Sequence, residues 1–263
     1  MLTYAAYLEV DDLIDLQHPK SDPEEHDEML FIIIHQTYEL WFKQVRHELG
    51  FLTERLDEGA LPRASHTLKR TLKIFKTLVS QIDILETMTP LEFESFRSRL
   101  DTASGFQSYQ FRAIEFALGH KRPQPLTFQP EGSVGRQMLE AAYHDRSLWQ
   151  VFMQLLSRRG YSIPEAVTQP DPTAATEAND RVQEALLTIY QTDHELASLC
   201  ELLVDLDEGL QEWRYRHVKM VQRTIGTKMG SGGSSGAEYL MNTLFKPVFP
   251  DLWEIRARIG APA

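Results

Sequence analysis

Two histidines stand where helical spacing turns them toward apolar neighbours. In "FIIIHQTYELWF", a helix puts Phe31, His35, Tyr38 and Phe42 on one face, because residues three and four apart are neighbours. Late in the chain Leu199, Leu203, Leu206, Leu210, Trp213, His217, Val221 and Thr224 recur at the same spacing, so His217 also faces inward. Such a histidine is either a core side chain with its ring nitrogens satisfied or a ligand whose neutral imidazole offers a lone pair near pH 7. A zinc site wants three or four protein ligands, and neither helix carries H-E-x-x-H or H-x-x-x-H. Haem needs one proximal histidine and leaves its other face to oxygen and a substrate, and no C-x-x-C-H is present for covalent attachment. Spacing alone leaves core packing and haem ligation both open.

The elements that must hold these residues read as helices, since apolar positions recur at three and four and strict alternation is scarce. "SDPEEHDEML" predicts a helix start with Ser21 or Asp22 as cap and Pro23 in the first turn, the helix running to about Leu56. A second helix is expected from about Ala64 to Thr87 on the stripe Leu68, Leu72, Phe75, Leu78 and Ile82. Short helices follow near 91–99 and 105–118, a proline-bearing connection spans Gly119 to Ser133, and further helical pattern covers about 135–159. "VTQPDPTAATEAND" reads as a loop; the long stripe of His217 ends at Gly226, and "GTKMGSGGSSG" has the composition of a flexible linker. The expectation is one all-α domain, a bundle of long antiparallel helices.

Bulk properties narrow the function. A chain of 263 residues with 42% hydrophobic and 25% charged residues folds as a globule large enough to line a cofactor cavity. A net charge of -11 opposes a polyanion, so nucleic acid is excluded as a partner. No apolar run approaches the roughly 18–20 residues that span a bilayer, and the first residues lack a basic region ahead of an apolar one, so a cytoplasmic location without membrane partners is expected. The single cysteine, Cys200, excludes an intrachain disulfide framework and a thiolate zinc site.

Read together, the motifs carry more than their spacing. "HDEMLFIIIHQTYELWFKQVRHEL", "LETMTPLEFESFR", "SGFQSYQFRAIEF" and "WRYRHVKMVQRTIG" followed by "GSGGSSG" closely resemble, in order, the signature segments of the tryptophan 2,3-dioxygenase family. With "LTYAAYL" at the start, the likeness covers nearly the whole chain. The resemblance implies an all-helical enzyme, a homotetramer binding haem b non-covalently. Such an enzyme uses ferrous iron and O2 to insert both oxygen atoms across the indole C2–C3 bond of L-tryptophan, giving N-formylkynurenine in tryptophan catabolism.

The same resemblance implies roles for individual residues. His217 matches the proximal haem ligand, and His35 the distal histidine that hydrogen-bonds the indole N–H. Phe31 and Phe93 match aromatic walls of the substrate site, and Arg97 the arginine that grips the substrate carboxylate, which suits a guanidinium with two parallel donors. Arg99 is expected at the surface. Ser104 and Gly105 open the block that approaches the haem edge, where a glycine lets backbone come close. Tyr4 and Tyr7 match aromatics that reach a neighbouring subunit's pocket, so segment 1–20 is expected to complete a site in the oligomer. Ser231 departs from the family's common threonine: its hydroxyl remains for the substrate's ammonium and carboxylate, and the lost methyl either leaves room for a larger amino acid or is a neutral exchange. An enzyme of this fold acting on a modified tryptophan, such as a β-methyl derivative, and giving a 2-oxindole by monooxygenation is therefore the alternative. A haem sensor without turnover would have no use for Arg97.

Overall fold

A computed structural model of the chain describes residues 1–230, 240–241 and 244–260. Among these residues the chain is all-α, as expected, and no helix is long and apolar enough to cross a membrane. Two helices of 32 residues dominate, α3 (His26–Asp57) and α12 (His194–Ile225), each about 48 Å long at 1.5 Å per residue. Between them in space lies α4 (Leu61–Leu85), which packs against both. The other helices are α1 (Tyr4–Leu8), α2 (Val10–Ile14), α5 (Pro90–Arg97), α6 (Tyr109–Ala117), α7 (Gln124–Thr127), α8 (Val134–His144), α9 (Leu148–Arg158), α10 (Glu165–Thr168), α11 (Asp180–Thr192) and α13 (Pro250–Glu254).

The helical stripes do bury. Val45, Leu49, Leu52 and Leu56 of α3 and Leu68, Phe75, Leu78 and Ile82 of α4 are within a few per cent of full burial. Leu199, Leu203, Leu206 and Leu210 of α12 join the same core. The link Glu58–Ala60 turns the chain back from α3 into α4, with Gly59 at φ 72°, where glycine carries no side-chain clash. Gly226 ends α12 as expected: at φ 61° its N–H still bonds the Gln222 carbonyl.

Several boundaries differ from the sequence reading. The cap of α3 is Glu25 rather than Ser21 or Asp22, and Pro23 lies outside the helix. Ser21 is otherwise engaged: its hydroxyl and N–H, with the Lys20 N–H, all donate to the buried Glu28 carboxylate. The 135–159 pattern splits into α8 and α9. Lys121 Nζ donates to the carbonyls of Ala142, Tyr143 and Asp145, taking up the end of α8, and the Ser147 hydroxyl accepts from Gln150 N–H to start α9. The stretch read as a loop from Val167 begins inside α10, and Asn179 then caps α11, which the reading did not include.

The amino-terminal helices α1 and α2 bury no residue on their own chain. They are tied down by Gln17, whose amide donates to Gln36 Oε1, and by Gln36, which donates to the Leu16 carbonyl.

Candidate active site

Helices α3, α5, α6 and α12 and the segment before α6 surround one cavity of about 240 Å³. His35 and His217 both line it, together with Phe31, Phe93, Arg97, Ser104 and Gly105. Seven of the expected site residues are thus brought to one space. Tyr4 and Tyr7 are not: they stand exposed on α1 and do not line this cavity. Ser231 and the rest of the glycine and serine run after Gly230 lie outside the described residues.

The two imidazoles are held differently. His35 Nδ1 lies 2.7 Å from the Phe31 carbonyl, one helical turn back. A carbonyl only accepts, so Nδ1 carries the proton and, in the neutral ring, Nε2 keeps its lone pair. The ring is accessible where it lines the cavity yet enclosed by protein. Desolvation lowers its pKa, and the Phe31 carbonyl and the Glu39 carboxylate offset this in part.

His217 has no hydrogen-bond partner for its ring among the described residues. Burial pushes its pKa down to about 4, and the fields of His35 and Arg112 act in the same direction. At neutral pH this ring is therefore uncharged. Its plane is fixed by Trp213, one turn earlier, whose indole lies 5.3 Å away at an interplanar angle of 5°. Trp213 in turn packs edge-on against Tyr38 and Phe42 of α3, so the second helix braces the stack. Tyr38, whose contacts sequence alone left open, donates its hydroxyl to the Leu78 carbonyl of α4.

The wall beside His35 is aromatic. Phe31 sits 4.1 Å from the His35 ring and within 5.7 Å of Phe93 and 5.5 Å of Phe96. Phe93, Phe96 and Arg97 are presented by α5, whose start is fixed by a capping box: the Thr89 N–H donates to the Glu92 carboxylate and the Glu92 N–H to the Thr89 hydroxyl. Arg97 Nη2 donates to the Met229 carbonyl at 2.5 Å, and Nη1 reaches Glu94 at 3.5 Å. Gly105 has open space where a Cβ would lie: apart from its own chain neighbours, no atom of the described residues comes within 4 Å.

A polar cluster that sequence reasoning missed forms another part of the wall. Glu115 receives Arg112 Nη1 at 2.7 Å, Arg122 Nη2 at 2.6 Å and Arg214 Nη2 at 2.7 Å. Burial by itself would raise the Glu115 pKa, but the three guanidiniums outweigh it and hold the carboxyl well below the usual carboxylate range. Its only local signal is an Arg–Glu pair three residues apart within the otherwise apolar "QFRAIEF"; Arg214 lies 99 residues further on.

No group of three or more His, Cys, Asp or Glu that could hold a bare metal ion occurs among the described residues. What the cavity offers is single, uncharged imidazole donors in an aromatic enclosure with a guanidinium at one side. A cavity of this kind can accommodate an aromatic molecule and a group that one imidazole ligates.

Comparison with known proteins agrees. The family model described as tryptophan 2,3-dioxygenase matches residues 1–136 and 183–259. The chain is 53% identical to a tryptophan 2,3-dioxygenase of Herpetosiphon aurantiacus, over 97% of this chain and 98% of the relative. It is 52% identical to one of Anaeromyxobacter sp. strain K (98% and 96%) and 42% to one of Bacillus anthracis (98% and 93%). The chain belongs to the tryptophan 2,3-dioxygenase family.

Proposed function

We propose that the protein is a haem-dependent dioxygenase that inserts both atoms of O2 across the indole C2–C3 bond of L-tryptophan, giving N-formylkynurenine. The observation that carries this reading is one cavity faced by two uncharged imidazoles of different engagement, one without a hydrogen-bond partner among the described residues and one with its Nδ1 committed to a carbonyl.

The residues present fit haem b. His217, neutral and without a hydrogen-bond partner among the described residues, would hold the haem iron through its ring nitrogen, and its parallel stack on Trp213 fixes the ring plane. Gly105, with no atom of the described residues beyond its chain neighbours within 4 Å of where its Cβ would be, leaves room for a flat group to approach the Ser104–Gly105 backbone. When bound, haem supplies an iron centre that binds and activates O2.

The chain's own side chains do the rest. His35 accepts the indole N–H at Nε2, the nitrogen left free by the Phe31 carbonyl, and so orients the ring. Phe31 and Phe93 close over its faces and exclude water. Arg97 holds the substrate carboxylate with its fork, which requires that carboxylate to take over the position the Met229 carbonyl has on Nη2. Ser231 offers its hydroxyl to the ammonium and carboxylate. Tyr4 and Tyr7, exposed on their own chain, complete the site of a neighbour in a homotetramer. The whole chain acts as one catalytic domain in the cytoplasm.

The test is turnover of the reduced, haem-loaded protein with L-tryptophan and, separately, its β-methyl derivative under ¹⁸O2. A ring-opened product of L-tryptophan bearing two labelled oxygens is expected. A one-oxygen 2-oxindole, or turnover of the methylated substrate alone, would overturn the assignment.

A further inference from the structure

The Arg112–Glu115–Arg214 cluster has no task in the reaction described above, yet all three residues line the cavity with His217. Arg112 is 6% exposed, Arg214 4% and Glu115 1%, so their charges lie in protein rather than in water. The ledger is unequal. Among the described residues, three guanidiniums from α6, α12 and the segment after α6 converge on one carboxylate, leaving an excess of two positive charges. The remaining contacts of these groups are to uncharged atoms: Arg214 Nη1 donates to the Lys246 carbonyl and Arg122 Nη1 to that of His120. The other charged groups facing the cavity are engaged elsewhere, Glu39 with Gln110 and Arg97 with Met229 and Glu94.

This positive excess stands beside the ligand. Arg214 and His217 are three residues apart on α12, hence neighbours on its surface, and Arg112 lines the same cavity with them. A ferric centre that takes up one electron becomes less positive by one charge, so a nearby positive field favours the reduced form, and it does so more strongly where water cannot screen it.

Resting on the assignment of His217 as the haem ligand, we propose that the Arg112–Glu115–Arg214 cluster tunes the iron toward its ferrous state, acting on the reduction potential through space rather than by touching the substrate. The cluster is a positioning device for charge. A dioxygenase that must meet O2 as ferrous iron gains from a ferrous form that resists one-electron oxidation.

The test is a spectroelectrochemical titration of the haem-loaded enzyme with mediators as the electron source, read from the haem absorption bands. At the wild-type midpoint, Arg112→Met should shift the balance roughly tenfold toward ferric, and Glu115→Gln by a similar factor toward ferrous. Arg112→Lys keeps the charge while losing the planar fork, and should stay near wild type. Arg122→Met, on the outer side of the cluster, should shift in the Arg112→Met direction by less, and it covers the case in which Arg112→Met does not fold. Midpoints that do not move, that move the same way for Arg112→Met and Glu115→Gln, or that move as far for Arg112→Lys as for Arg112→Met would overturn the inference while leaving the haem assignment intact. A wild-type protein with no haem band after reconstitution would overturn both.

Discussion

Helices α3 and α12 have the same length and each turns one histidine into the same cavity, yet they make different reagents of it. On α3 the ring is held by a hydrogen bond from Nδ1 to a backbone carbonyl of its own helix, which fixes the tautomer and leaves one acceptor facing outward. On α12 the ring is held by stacking, which fixes the plane, and among the described residues neither nitrogen is committed. A hydrogen-bonded imidazole suits the recognition of an N–H; a stacked, uncommitted one suits a metal. The partner, rather than the residue type or the burial, separates the two proposed roles.

The sharpest way to break this comparison is to remove the stacked ring. His217→Ala should lose haem by far more than the roughly 10–100-fold that supporting partners of a ligand usually cost, as read by haem content after reconstitution. Retention of haem and activity would end the ligand role. Arg97→Leu tests the side of the cavity that neither histidine serves. Affinity for L-tryptophan should fall by about 2 kcal/mol or more, roughly thirtyfold, while that for an indole lacking the carboxylate should barely change. Equal losses would remove Arg97 from that role.

His35→Ala should keep its haem and lose only one hydrogen bond to the substrate, a drop of roughly five- to tenfold in kcat/KM. A haem-free product would mean that the two histidines are not distinguishable in the way described.

The smallest effect comes from a third buried histidine. At His120 burial dominates, and although Glu115 pulls the other way, Arg122, Arg214 and Lys246 help bring the pKa down to about 4 from its ordinary 6.5. The unfolded chain therefore takes up a proton that the folded one refuses, and stability present above pH 6.5 is lost as the pH falls toward 4. His120→Asn should reduce the loss between about pH 7 and 5.5 by about 1 kcal/mol in chemical denaturation. An unchanged slope would show that His120 takes up its proton equally in the folded and unfolded chain.

Much of this architecture was legible because long amphipathic helices write their period into the chain. The stripes of α3, α4 and α12 are buried where the spacing put them, since a helix of 25 or more residues repeats its signal many times. Short elements carry no such repetition. Helices α1, α2 and α10 have at most five residues each, and the start of α3 was misread because Ser21, a good cap by type, is spent on Glu28. Ser147 ahead of an apolar run was a signal for α9 that the continuous pattern obscured.

The site was legible in a different way. Spacing alone gave two inward histidines with no task, and only the resemblance supplied Arg97, Phe93 and the Ser104–Gly105 block that line the cavity with them. The charge cluster escaped because its members are brought together by the packing of α6 against the rest of the bundle and by α12, from positions 112 to 214. Nothing local to Arg214 announces that its partner is Glu115.

The parallel pair of Trp213 and His217 also equips the molecule with an optical gauge. An indole 5.3 Å from the ring that carries a strongly absorbing group would pass its excitation to that group and fall dark. Trp149, packed instead on Phe152 and Phe249, has other neighbours. Loading of the site should therefore be readable from the protein's own emission, without any added dye.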